Sequence, residues 1–184
     1  MSKQTTEEID NLDKIKSTQV LELIRVAHEF CVFTESIESK DTTEILSFYQ
    51  KVLPLLYLKG SLIPTVTVSD ESFNERYVNE EFWETVFMNF KTKFDKDEYF
   101  WIVDANNEPM KASIAEHFAD IYQDLKDFVI LFQNNRLAAK ENAVFEVKKF
   151  FAIHWGPRLT AVLPTIHQLL YAKQILSSEE EIDI

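Results

Sequence analysis

Glycine is almost missing: 184 residues contain only Gly60 and Gly156. The backbone cradles that hold phosphates and dinucleotides need glycines a few residues apart, so P-loop and Rossmann-type sites are excluded. The turn-rich β-sandwich and doubly wound α/β classes also draw on far more glycine than this. Cysteine is nearly absent too. Cys31 stands alone, which rules out an internal disulfide, and its place among apolar positions reads as an inert buried thiol. Positive charge is scarce: 19 Lys and Arg face 31 Asp and Glu, for a net charge of −12. Phosphate backbones and anionic membranes are bound by clustered Lys and Arg, so neither nucleic acid nor a membrane is an expected partner. No run approaches the ~18 apolar residues of a spanning helix. The polar, acidic start Met-Ser-Lys-Gln-Thr-Thr-Glu-Glu lacks a hydrophobic signal region. Together these features predict a soluble cytoplasmic protein. His-Glu-x-x-His, Cys-x-x-Cys and Gly-x-Ser-x-Gly are absent as well.

What is present is a core-forming sequence, 46% apolar with 15 Phe. A chain of this length buries roughly 70% of its unfolded surface. Long 3.6-residue periodicities predict an all-α bundle of about six helices with short connections. Residues 1–16 read as a flexible leader, 17–176 as the helical domain, and 177–184 as a disordered acidic tail. Ser17 or Thr18 caps a first helix to about Ser36. Asp41 and Glu44 open a second, in which Pro54 predicts a kink or restart and Gly60 a left-handed C-cap. Thr65–Val68 reads as an extended connector. Ser69 is expected to open a third helix through about Asn89. Tyr99–Val103 is either a short strand or irregular aromatic packing. Further helices are predicted over 113–133, from Leu137 to Trp155, and after a Gly156 C-cap, the last one interrupted by Pro164.

The central segment, Ser113 to Gln133, organises the rest. Ser113 and Glu116 have capping-box spacing. Phe118, Ile121, Tyr122, Leu125, Phe128, Val129 and Phe132 recur every three or four residues as one apolar face. Opposite it, Glu116, Asp120, Gln123 and Asp127 fall within an arc of about 60°, with Asp124 beside them. That acidic strip, joined by His154, Trp155 and Arg158 of the string His154-Trp155-Gly156-Pro157-Arg158, predicts a surface for a protein partner with a basic face. The ordinary alternative is a solvated helix face and a bundle end closed by His154 and Trp155.

Two catalytic readings compete. His117, Asp120 and His154 offer ligands for a metal-dependent hydrolase, although the paired Glu-x-x-His of helical di-metal sites is missing. Arg158 and His167 suggest a small all-helical RNase, but eight residues separate them and the chain repels RNA. A third possibility is a small-ligand carrier lined by Phe and Trp. The balance predicts no catalytic residues, no cofactor and an interaction or adaptor role.

Leu-Pro-Leu-Leu-Tyr-Leu-Lys-Gly at 53–60, Ala-Asp-Ile-Tyr-Gln-Asp-Leu-Lys-Asp-Phe at 119–128 and His-Trp-Gly at 154–156, followed by His167, resemble an uncharacterised Bacteroides-type domain-of-unknown-function family. The resemblance spans roughly residues 18–170, and Ile-Tyr-Gln-Asp-Leu-Lys-Asp-Phe is its specific part. It implies an all-helical fold and brings no activity. It also implies that Tyr122, Gln123, Asp124, Lys126, Asp127, His154 and Trp155 form a shared polar cluster or surface. Pro157 and Pro164 depart from the polar or basic residues expected there.

Overall fold

The computed structural model describes residues 3–104 and 106–180. Its elements run α1 (Lys3–Ile15), α2 (Thr18–Glu35), α3 (Thr42–Ser61), α4 (Glu80–Phe94), β1 (Tyr99–Val103), β2 (Pro109–Ser113), α5 (Ile114–Gln133), α6 (Leu137–Ile153) and α7 (Trp155–Glu180). The expected helical bundle is what forms. At its centre α5 packs against α2, α4, α6 and α7. Its apolar face delivers Phe118, Ile121 and Leu125 to the core with no exposed surface. There Phe118 meets Tyr49 and Phe90 at centroid separations of 4.3 and 4.6 Å.

Three helix starts follow side-chain chemistry, whereas the Ser17 hydroxyl makes no cap bond at the start of α2. The Ser113 Oγ accepts from the Glu116 amide at 3.0 Å and donates to the buried Glu98 carboxylate at 2.8 Å. Asp41 accepts from the Glu44 amide at 2.8 Å, and Asn79 from the Phe82 amide at 3.0 Å. Each bond satisfies one of the donors that a helix leaves open in its first turn.

Several expectations need correction. The leader is not frayed over its described part: residues 3–15 form α1, whose last turns bury Asn11 and Ile15. Asn11 is fixed because its amide donates to the Thr67 carbonyl at 2.7 Å and to Glu141 at 3.0 Å. The third helix begins at Glu80 rather than Ser69. Between them the chain is extended apart from a 3₁₀ turn at Glu71–Phe73, because its amides are held by other elements. Ser69 N–H donates to Glu141, and the Tyr77 and Val78 amides both donate to Asp127. Amides bound there are not available for an i→i−4 ladder. Tyr99–Val103 is a strand, and Pro109–Ser113 pairs with it antiparallel, Tyr99 opposite Ser113 and Val103 opposite Pro109. Of the expected tail, 177–180 continues α7, and 181–184 lies outside the described residues.

Neither glycine is a C-cap, and neither proline breaks its helix. Pro54 and Pro164 lie within α3 and α7, both on exposed sides. Gly60 sits inside α3 because α3 closes directly onto the corner between α6 and α7. A Cβ there would lie 2.5 Å from Phe151 Cδ2 and from Trp155 Cη2. At Gly156 it would lie 2.1 Å from the Phe151 carbonyl oxygen. In an open helix, Gly→Ala stabilises by about 1 kcal/mol. Gly60→Ala is expected to do the opposite here, destabilising by about 1–3 kcal/mol through overpacking. The sign of the change in urea midpoint decides it.

Candidate functional site

The acidic strip is present on α5 but is not a surface. Asp124 and Asp127 are 4% and 6% exposed. Two segments cover them: the extended chain at 74–78 and the corner where α6 meets α7. Asp127 receives both the Tyr77 and Val78 amides, at 2.8 and 2.9 Å, and the Arg76 guanidinium at 3.0 Å. Arg76 also reaches Asp124 at 3.5 Å while its guanidinium lies 4.5 Å from the Phe150 ring centre. His154 Nδ1 donates to Asp124 at 2.5 Å. Asp120 accepts from Trp83 Nε1 at 2.9 Å and from Arg158 Nε at 2.7 Å. Gln123 donates to the Val78 carbonyl at 3.3 Å.

The residues expected to greet a partner therefore greet one another. Asp120, Asp124, Asp127, His154 and Arg158 come together in one network, and Arg158 also donates to the His154 carbonyl at 3.2 Å. Trp155 is fully buried beside it, with Nε1 donating to the Val147 carbonyl at 3.0 Å. Glu116 alone of the strip is exposed. Periodicity had located the face correctly; it does not say what lies over a face. Arg76 was missed because Ser69–Asn89 reads as one helix, and Trp83 reads only as one of that helix's apolar positions, with no signal that its indole nitrogen meets Asp120.

The metal trio is not assembled. His117 Nδ1 donates to the Ser113 carbonyl at 2.9 Å, and its ring meets Phe100 edge-on. His154 is engaged by Asp124, and Asp120 by a guanidinium and an indole. Among the described residues, no three His, Cys, Asp or Glu side chains are grouped to hold a metal ion. Cys31 is buried, which pushes its thiol far above the ordinary range and leaves no thiolate for nucleophilic chemistry.

A second polar cluster lies farther along α5. Tyr122 and Lys126, one turn apart, both donate to Glu35 Oε1 at the end of α2, at 2.9 and 2.5 Å. Burial first, then the bond to Glu35, raises the Tyr122 phenol well above its usual range, so it stays protonated and donating.

Two expectations follow from this geometry. Asp127→Ala leaves the Tyr77 and Val78 amides without their acceptor, and a buried donor left unsatisfied costs about 1–3 kcal/mol. Denaturant unfolding should show that loss, and hydrogen exchange at the Tyr77 and Val78 amides should accelerate. The second concerns His117, whose pKa is held below its ordinary value of 6.5, chiefly by burial, with the Arg158 charge acting in the same direction. The native state thus favours neutral imidazole, and the unfolded chain takes up the proton first. This contribution to stability is full above about pH 6.5 and is lost as pH falls through the native pKa. An NMR titration of the His117 ring should give a midpoint below that of an unfolded peptide.

No curated protein matches the sequence. A crystal structure of a Bacteroides fragilis protein from the Northeast Structural Genomics Consortium has the same fold, with a TM-score of 0.78 and 31% identity, covering 86% of this chain and 96% of that one. The resemblance to a Bacteroides-type domain of unknown function thus rests on fold as well as sequence. Matched from residue 14 to residue 172, the chain belongs to the family described as Domain of unknown function (DUF5063).

Proposed function

We propose that this protein is a non-enzymatic interaction module that binds another protein through its β-hairpin. The observation that carries the reading is the outer face of β1, where Tyr99, Trp101 and Val103 are 50%, 71% and 66% exposed. Alternation along the strand turns Phe100 inward and these three side chains outward. Opposite them on the same face lie Lys111, whose ammonium is 3.7 Å from the Tyr99 ring centre, and Pro109. Exposed Trp and Tyr grouped on one strand are residue types in which binding hot spots are enriched. The hairpin suits this role better than the carboxylate strip on α5, whose Asp120, Asp124 and Asp127 are engaged by Arg158, His154 and Arg76.

A net charge of −12 favours a partner with a basic rim around an apolar pocket that accepts Trp101. The test is quantitative affinity capture with the full chain and with Tyr99→Ser/Trp101→Ser, both shown to be folded by circular dichroism. A partner that is salt-sensitive and depleted at least tenfold by the double variant supports the reading. Identical capture by both proteins sinks it.

A further inference from the structure

Away from the hairpin, α2 and α4 flank α5 and leave a cavity of about 390 Å³ between them. That volume suits a small organic molecule. Its walls are mostly apolar. Val86 and Ile130 line the interior, and Phe82 stands at the mouth with 57% of its surface exposed. Tyr77 and Tyr122 add two more rings to the lining.

The polar end is built from Glu35. One of its oxygens, Oε1, takes both the Tyr122 hydroxyl and the Lys126 ammonium. Its second oxygen, Oε2, has no hydrogen-bond donor among the described residues, although the carboxylate lines the cavity and is 42% exposed. The Tyr77 hydroxyl is turned to a carboxylate outside the lining, Glu75, at 2.9 Å. The lining thus carries one carboxylate and one ammonium, inside a chain of net charge −12. The overall field favours a cation. Aromatic faces beside a carboxylate oxygen are what an organic ammonium seeks, because the ring quadrupole and the carboxylate attract it together.

We propose that this cavity binds a small organic amine with an apolar body, the ammonium donating to Glu35 Oε2 and the body lying against Phe82, Val86 and Ile130. Lys126 and Tyr122 stay on Oε1 and hold the carboxylate in place. The site is independent of the hairpin and of any protein partner.

The test uses the isotope-labelled full chain and three probes of similar shape: 2-phenylethylamine, 2-phenylethanol and 3-phenylpropionate. Followed by amide chemical shifts, the amine is expected to perturb Phe82, Val86 and Ile130 and to bind at least tenfold more tightly than the alcohol or the acid. Glu35→Gln preserves the acceptor for Tyr122 and removes the charge, and it should weaken the amine at least tenfold while leaving the alcohol unchanged. Phe82→Ala, an exposed position, should weaken the amine without unfolding the protein. Equal binding of amine and acid overturns the inference, as does amine binding that is indifferent to Glu35→Gln or shifts confined to other surfaces.

Discussion

Asp127 is where the architecture is decided. One carboxylate on α5 holds two consecutive amides of a passing chain and a guanidinium from the same segment, so residues 76–78 lie extended instead of coiling into helix. Its neighbours repeat the arrangement: Asp124 fastens His154, and Asp120 fastens Arg158 and Trp83. Carboxylates taken from water lose several kcal/mol of solvation, and only close, directional donors offset it. Here every donor comes from outside α5. The network therefore ties α4, the 69–79 connector and the α6–α7 corner to one helix. Glu141 does the same for the start of that connector. It is fully buried on α6 and takes Asn11 of α1 and both donors of Ser69. Acidic residues usually decorate the outside of a fold. In this one, several are internal fasteners.

This explains what could be read in advance and what could not. The apolar period of α5, the caps at Ser113 and Asp41, and the all-helical class were legible because they depend on residues close in sequence. The acidic arc was legible as an arc. That it would be roofed was not, since the roof arrives from residues 74–78 and 154–158, and pairings over such separations leave no local signature. The same limit hid β2. Strand β1 announces itself as an aromatic run, whereas Pro-Met-Lys-Ala-Ser has neither alternation nor β-branched residues and is a strand only because β1 is beside it.

The glycines show a different failure. Both precede plausible helix ends, and the usual reading of such a glycine is the left-handed conformation it adopts cheaply. Neither adopts it here; among the described residues, Asp95 and Asn107 are the residues with positive φ. At Gly60 and Gly156 the absent side chain matters instead of the permitted backbone angle, because Phe151 and Trp155 occupy the space a methyl would take. Spatial crowding of that kind is set by helices that meet only in the folded state.

The three tryptophans occupy three unlike environments: Trp155 sealed in the core, Trp83 half-covered with its indole nitrogen on Asp120, and Trp101 open to solvent on the hairpin. Indole emission follows the polarity and mobility of its surroundings, so this protein carries three separable optical reporters without any label. An aqueous quencher reaches Trp101 first, and covering the hairpin shields it. Trp155 responds only when the core opens. Association and unfolding can thus be followed in the same cuvette through different residues.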